Sequence, residues 1–168
     1  VFHESLNLAA VWELPILYVC ENNQWQAFVH RRETMTGEHI ADRGAAYGID
    51  GATVDGNDVL AVQHAALEAS AQVRGSGRPF LLETWTYRSR GHFEPDDQAY
   101  VDPTEHSAWL ARDPIARSRQ RLADSGRLPH ADATALDQRV RQRIATALAF
   151  AEASPFPTQD ELTTDVYA

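Results

Sequence analysis

Two adjacent asparagines end an apolar, strand-like run near the start of the chain. Asn22 and Asn23 follow residues 15–21, and no Gly or Pro accompanies the break. Each carries a hard, neutral amide oxygen that suits Mg²⁺, a cation that prefers oxygen ligands and often takes some of them from a bound phosphate. Two interpretations stay open: an Asx turn that only caps the backbone, or half of a metal–diphosphate site. On these residues alone the turn is the simpler one.

The loop over residues 87–97 is a second candidate, because it holds two arginines, one histidine and three acidic residues. His92 can act as a general acid or base near neutral pH. Gly91 before it allows the backbone to approach a ligand closely. Loops carry function more often than cores do. The alternative is a solvated, charged loop with a surface histidine.

The elements that must position these residues alternate between helical and strand patterns. The predicted elements are helices at residues 2–13, 38–47 and 59–74 and strands at residues 15–21, 53–54 and 79–87. Gly48 is predicted as a left-handed helix end and Asp58 as a helix N-cap. The alternation predicts an α/β fold, with a partial parallel sheet and helices on both of its faces. Asn23 and the 87–97 loop are then expected at the carboxyl edge of the sheet, where ligands of such folds bind.

The chain changes character after about residue 100. Helices are predicted near residues 104–111, 114–125 and 131–153, followed by a Pro-rich tail. We therefore divide the chain into a sheet domain, residues 1–100, and a helical extension with its tail, residues 101–168.

The composition of the 168-residue chain excludes several classes of function. A net charge of -9, from 24 acidic and 15 basic residues, argues against nucleic-acid binding. All the basic residues are arginines, so the chain supplies no Schiff-base or P-loop lysine. Cys20 is the only cysteine, which favours a reducing compartment, and we expect a cytoplasmic protein. The sequence has no apolar run of about 18 residues, so it predicts no membrane-spanning helix.

Several stretches, in this order and spacing, carry a resemblance that covers about residues 2–125. They are Glu4–Trp12, Glu21–Trp25, Ala41–Ile49, Val54–Val59, Thr86–Arg88 with Gly91–His92, and Arg112–Ile115. Together they resemble the C-terminal part of the alpha subunit of the thiamine-diphosphate-dependent E1 component of 2-oxo acid dehydrogenase complexes. The resemblance implies a thiamine-diphosphate-binding fold whose first strand segment is missing.

The resemblance also implies a cofactor site that holds thiamine diphosphate and Mg²⁺. Asn23 would give its side-chain oxygen to the metal, and Trp25 its main-chain carbonyl, while the cofactor diphosphate supplies further oxygens. Glu21, just before the asparagine pair, would lie close to the cofactor. The resemblance therefore favours the metal site over the simple turn.

In the second loop the resemblance implies roles for His92 and Arg88. His92 matches the active-site histidine of the family, which holds the diphosphate end of the cofactor and takes part in acyl transfer to lipoyl groups. Arg88 would lie in the cofactor site and pair with Asp96 across the loop, ordering it.

The chain departs from the family pattern in two places. The Gly-Asp-Gly half of the cofactor motif, whose Asp is a further Mg²⁺ ligand, would fall before Val1, so we expect a cut, processed or split piece. Phe93 stands where mammalian members carry a regulatory Ser, and the stretch around it is closest to acetoin-dehydrogenase-like members. The substrate stays open among pyruvate, acetoin and branched-chain acids.

The leading hypothesis is an E1 alpha piece that works only with partner chains. The expected partners are a chain or segment with the Gly-Asp-Gly half, an E1 beta-like subunit and a lipoyl-bearing E2. A sheet without its first strand leaves an open edge and uncovered apolar faces, so we expect the chain in a complex. The alternative is a non-catalytic assembly subunit that keeps the fold.

Overall fold

Three parallel strands form the main sheet of the computed structural model, which describes residues 1–164. The strands are β1 Leu17–Asn22, β4 Asp50–Asp55 and β5 Phe80–Trp85. The order β1-β5-β4 places β5 in the centre. Asn22, Trp85 and Asp55 are paired in register, so the three strands end in one row. The loops that follow β1 and β5 therefore leave the same edge of the sheet.

Helices and a small hairpin make up the rest of the regular structure in the described residues. The helices are α1 Phe2–Val11, α2 Arg31–Thr34, α3 Val59–Ser76, α4 Pro103–Leu110, α5 Pro114–Asp124 and α6 His130–Ala153, with 3₁₀ helices at Ala41–Tyr47 and Gln159–Thr163. The hairpin pairs β2 Trp25–Gln26 with β3 Val29–His30.

Apolar side chains cover both faces of the sheet. On one face, Val73 of α3 packs against Leu82 of β5. On the other, Leu6 of α1 packs with Leu81 of β5 and Ile49. Burial of each such side chain contributes roughly 1.5–3 kcal/mol relative to leaving it exposed. The predicted fold class, a partial parallel sheet with helices on both faces and a helical extension, is confirmed.

Two of the predicted helix ends are also present. The Asp58 carboxylate accepts hydrogen bonds from the amides of Leu60, at 3.0 Å, and Ala61, at 3.3 Å, and so caps α3. Gly48 has a φ of 66°, the left-handed conformation that glycine adopts without strain. Both assignments follow from local chemistry, which is why the sequence was sufficient to make them.

The helix predicted over residues 38–47 is shorter in the structure, where it is the 3₁₀ helix Ala41–Tyr47. Gly44 within it approaches the returning chain so closely that a Cβ would lie 2.7 Å from the Ile49 carbonyl oxygen. The tight turn into β4 therefore competes with a regular α-helix. Residues 22–37, predicted as a loop, contain the β2–β3 hairpin and α2.

The chain divides into two compact units, Val1–Gln120 and a second unit that begins at Arg121. Helix α4 thus belongs to the same unit as the sheet, and the predicted division at residue 100 stays a prediction. The last four residues of the predicted tail lie outside the described residues. Among the helices described over residues 1–164, none combines the length and apolarity needed to span a membrane.

Both outer strands of the sheet have one neighbour only, β5, among the described residues. Val19 on β1 is 55% exposed. Leu8 and Val11 on α1, and Trp12 directly after it, are also exposed. This uncovered apolar surface agrees with the expectation of an open edge.

Candidate functional site

The two asparagines at the end of β1 have different environments. Asn22 is 5% exposed, and its Nδ2 donates a 2.6 Å hydrogen bond to Glu83 Oε1. Its Oδ1 accepts from the Gln24 amide at 3.1 Å. Both polar atoms of the Asn22 side chain therefore make hydrogen bonds inside the protein.

Asn23, in contrast, is half-buried at the edge of the sheet. Its Oδ1 accepts the Trp25 amide at 3.0 Å, which makes an Asx turn. An amide oxygen has two lone pairs, and this hydrogen bond uses one of them. The turn and the metal ligand are thus compatible interpretations of the same oxygen.

Gln24, between the two candidate ligands, is held in an unusual backbone conformation. Its φ is 70°, the left-handed region, which costs a non-glycine residue roughly 1–2 kcal/mol. Its side chain is buried and donates through Nε2 to the Asn22 carbonyl at 3.1 Å. Its Oε1 accepts from Arg31 Nε at 2.6 Å. These contacts offset the strain and fix the turn.

Trp25 begins the hairpin, and its carbonyl is available for a ligand. The Arg31 amide donates to the Gln24 carbonyl at 2.8 Å. Antiparallel ladders alternate between bonded and non-bonded pairs, so the next pair, Trp25 with His30, is a non-bonded one. The Trp25 carbonyl therefore points away from β3. Asn23 and Trp25 offer two neutral oxygens, which fit a hard cation such as Mg²⁺.

Aromatic side chains pack against Trp25 of the hairpin. The Trp25 ring meets the His30 ring edge to face at 4.9 Å and the Tyr100 ring at 5.2 Å. His30 is buried; its Nδ1 accepts from the Arg32 amide, so its Nε2 donates to Glu105 at 3.0 Å. Sequence reasoning assigned nothing to His30. Its partner lies on α4, 75 residues away, and no local pattern indicates that pairing.

Arg88 connects the hairpin to the loop after β5. Its amide donates to the Asn23 carbonyl at 3.1 Å. Its guanidinium donates to the Ala27 carbonyl and, at 3.0 Å, to the Tyr100 hydroxyl. The same group lies 3.4 Å from His92 Nδ1. The structure thus brings together Asn23, Arg88 and His92, as the sequence predicted, although their roles stay predictions.

Asp96 orders the second loop, but its link to Arg88 runs through Tyr100. The Tyr100 hydroxyl donates to Asp96 Oδ2 at 2.7 Å, and the His92 amide donates to the same oxygen at 2.6 Å. The hydrogen bond from Tyr100 is the main cause that lowers the pKa of Asp96 below its usual 3.8. A Cβ on Gly91 would lie 2.5 Å from Asp96 Cβ. Gly91 therefore permits a close approach to Asp96 within the loop.

His92 is exposed and lines an open cavity of about 440 Å³ together with Arg90 and Gln98. Its ring meets Phe28 of the hairpin edge to face at 5.7 Å. Glu21 is exposed one residue before the end of β1. The cofactor-binding role of Glu21 and the catalytic role of His92 stay predictions.

Sequence reasoning missed Glu83, a fully buried carboxylate on the central strand. Besides Asn22, it accepts hydrogen bonds from the Ala41 amide and Thr53 Oγ1, both at 3.0 Å. His39 Nδ1 approaches it at 3.7 Å, beyond hydrogen-bond distance. The signal was in the sequence, since Glu83 interrupts the apolar run of a strand predicted to lie in a sheet with helices on both faces.

The described residues contain no group of three or more His, Cys, Asp or Glu side chains that could hold a metal ion. The candidate metal site therefore consists of the neutral oxygens of Asn23 and Trp25. Neutral ligands do little to offset the dehydration of Mg²⁺. The arrangement has the chemistry of half a site.

Comparison with known proteins gives a consistent result. The family model for the dehydrogenase E1 component matches residues 1–160. The alpha subunit of acetoin:2,6-dichlorophenolindophenol oxidoreductase from Bacillus subtilis (strain 168) is 45% identical, over 99% of this chain and 50% of that protein. The pyruvate dehydrogenase E1 component subunit alpha of Rhizobium meliloti (strain 1021) is 37% identical, over 98% of this chain and 47% of that protein.

A plant relative extends the comparison. The chloroplastic pyruvate dehydrogenase E1 component subunit alpha-3 of Arabidopsis thaliana is 36% identical, over 99% of this chain and 39% of that protein. The chain thus spans half or less of the length of these relatives. The resemblance inferred from the sequence and the fold expected from it are both confirmed. The chain belongs to the dehydrogenase E1 component family.

Proposed function

We propose that the chain is the C-terminal part of the alpha subunit of a thiamine-diphosphate-dependent 2-oxo acid dehydrogenase E1 component. The observation that carries the proposal is the turn at the end of β1. It leaves one lone pair of Asn23 Oδ1 and the Trp25 carbonyl open to a cation, beside a loop that holds His92. The family match supports the same chemistry.

In this proposal the Asn23 side-chain oxygen and the Trp25 carbonyl would hold Mg²⁺ and, through it, the diphosphate of the cofactor. Thiamine diphosphate, when bound, supplies the carbanion-stabilising chemistry for 2-oxo acid decarboxylation or acyloin cleavage. His92 is exposed beside the hairpin, where its imidazole can hold or move a proton. Glu21, exposed one residue before the end of β1, would lie near the diphosphate.

Arg88 is proposed as a cofactor-site residue that acts chiefly by ordering. Its guanidinium is engaged by the Ala27 carbonyl, the Tyr100 hydroxyl and His92. It therefore holds the hairpin and the loop together at the cofactor edge.

The proposal requires partner chains. A segment with the Gly-Asp-Gly half would add the charged Mg²⁺ ligand, and an E1 beta-like subunit would complete the cofactor site. A lipoyl-bearing E2 would take the acyl group. The single, half-buried Cys20, whose pKa is raised by burial, fits a cytoplasmic protein without disulfides.

Calorimetric titration of thiamine diphosphate with Mg²⁺ tests the proposal. We expect binding only when the chain is assembled with its upstream segment and beta partner. Asn23→Ala should then weaken binding by roughly 2–4 kcal/mol, the scale of a buried charge-assisted contact.

Gln26→Ala is the matched control, since Gln26 is an exposed residue of the same hairpin. It should leave the affinity unchanged. Equal affinities of Asn23→Ala and the unaltered protein would remove Asn23 from the metal site.

One observation favours the alternative, a non-catalytic assembly subunit. Helix α6 exposes an apolar stripe formed by Leu136, Val140, Ile144 and Leu148. Such a face on a long helix is typical of association surfaces. The assembled protein would then form a stable complex and fail to bind thiamine diphosphate in the titration above.

A further inference from the structure

Glu83 is a buried carboxylate in the middle of the central strand, with none of its surface exposed. Its three hydrogen-bond partners come from β1, from the 3₁₀ helix and from β4. All three are donors, which matches an ionised carboxylate, a group that only accepts. Replacing a whole buried ionic network by well-packed apolar residues is often neutral or stabilising. Glu83 therefore calls for an explanation beyond the stability of the sheet.

One of the three contacts sets the orientation of the Asn22 amide. Asn22 Nδ2 faces Glu83 Oε1 at 2.6 Å, so Asn22 Oδ1 must face the opposite way. There it accepts from the Gln24 amide at 3.1 Å and from Gln24 Nε2 at 3.2 Å. A rotated amide would direct its oxygen at the carboxylate and lose both contacts. The charge of Glu83 thus selects one of two amide orientations.

The selected orientation holds the strained residue of the turn. Gln24, with its φ of 70°, lies between Asn23 and Trp25 in the sequence. Its amide and its side chain are both bound to Asn22, and its Oε1 is bound to Arg31, whose guanidinium lies 4.4 Å from the Trp85 ring centre. A left-handed residue persists only where its surroundings over-determine it. Releasing Asn22 would release Gln24 and separate the two ligand oxygens.

We propose that Glu83 is the positioning residue of the candidate metal site. Acting through Asn22 and Gln24, it fixes the turn that presents the Asn23 side-chain oxygen and the Trp25 carbonyl to the metal of a bound diphosphate cofactor. This inference rests on the proposed function, but the geometry of the turn can be measured without the cofactor.

The test moves the negative charge from residue 83 to residue 22, the two residues that the hydrogen bond from Asn22 Nδ2 to Glu83 Oε1 joins. In Glu83→Gln, one of the two acceptor oxygens becomes an NH₂ donor. This donor must then face either Asn22 Nδ2 or the Ala41 amide and Thr53 Oγ1, which are donors themselves. Adding Asn22→Asp restores a donor–acceptor pair, because the introduced glutamine amide can then donate to the new carboxylate while the second carboxylate oxygen still accepts from Gln24. Thr53→Val is the matched control, since it removes a different bond to the same carboxylate and leaves Asn22 in place.

Two measurements are made on each variant. The first is the amide NMR resonances of Gln24 and Trp25 in the chain without cofactor, which report the two hydrogen bonds of the turn. The second is calorimetric affinity for thiamine diphosphate with Mg²⁺ in the assembly with the partner chains. Glu83→Gln should displace both resonances and weaken binding about 10- to 100-fold, the usual effect of losing a group that orients a metal ligand. The double variant should restore both, and Thr53→Val should change neither.

Failure of the double variant to restore the resonances and the affinity would overturn the inference, as would an equal loss in Thr53→Val. If Glu83→Gln alone does not fold, a folded double variant with restored resonances supports the inference. A double variant that remains unfolded contradicts it. An unaltered assembly that binds no thiamine diphosphate overturns the proposed function instead, while the amide resonances still decide the role of Glu83 in the turn.

Discussion

Two polar networks meet at the candidate site, and they differ in how much water reaches them. The sheet network, Glu83, Asn22 and Gln24, is buried behind the end of β1. In the loop network after β5, Arg88, Tyr100 and Asp96 are half-buried and His92 is exposed. Both consist of short hydrogen bonds, at 2.6 Å for Asn22 to Glu83 and 2.7 Å for Tyr100 to Asp96. Although the distances are similar, losing a hydrogen-bond partner costs a different amount of free energy in the two networks.

A buried polar group that loses its partner bears the full cost of its desolvation, whereas an exposed group exchanges its partner for water. The sheet network can therefore adopt only one arrangement. We expect the loop network to exchange its hydrogen bonds for water at a smaller cost in free energy. A rigid buried network and a more adaptable loop thus lie side by side.

Among the variants that test this contrast, Glu83→Ala should change the free energy of unfolding the most. It leaves Asn22 Nδ2, the Ala41 amide and Thr53 Oγ1 without their acceptor in the core. We expect the free energy of unfolding to fall by about 3–5 kcal/mol, as measured by urea denaturation. Glu94→Ala removes an exposed loop carboxylate and should cost less than about 0.5 kcal/mol. Similar losses in the two variants would erase the contrast.

Tyr100→Phe is the corresponding change in the loop network. It removes the hydroxyl that joins Arg88 to Asp96, and water can take its place. The free energy of unfolding should fall by only about 0.5–1.5 kcal/mol. The exchange of the His92 amide hydrogen should accelerate, because that amide is bound to Asp96. Tyr47→Phe, a like change at a tyrosine bound to His3, should leave this exchange rate unaltered.

The smallest expected effect is the acid response of the loop. Because the Tyr100 hydrogen bond lowers the pKa of Asp96 below 3.8, the loop order that Asp96 provides is present above that value. It is lost only as the pH falls through the lower pKa of the folded state. The His92 amide resonance, followed by NMR, should therefore titrate with a midpoint below 3.8. In Tyr100→Phe the midpoint should rise, and an unchanged midpoint would contradict the assigned cause.

The positions of the elements were predictable because they follow from local patterns. Apolar spacing located the three strands, and Asp58 and Gly48 marked helix ends. The parallel arrangement then placed Asn23 and the His92 loop at one edge. The sequence thus predicted that these candidate residues share one edge of the sheet, but not the contacts that support them.

Those supporting contacts could not be predicted, since they join residues far apart in the chain. Glu83 meets Asn22 across 61 positions, and Arg88 meets Ala27 across 61. No local pattern distinguished Asn22 from Asn23 either. Their difference arises from the strand pleat and the turn, which direct one side chain to the core and the other to the edge.

The single row in which Asn22, Trp85 and Asp55 end their strands has a consequence for how the protein tolerates change. On the sheet side of that row, a new side chain must fit the interior and its hydrogen bonds. On the loop side, residues such as Phe93 and Glu94 are exposed. The row is thus a boundary for substitutions: a change at an exposed position such as Glu94 leaves the buried contacts of the sheet in place, whereas a change at Asn22 does not.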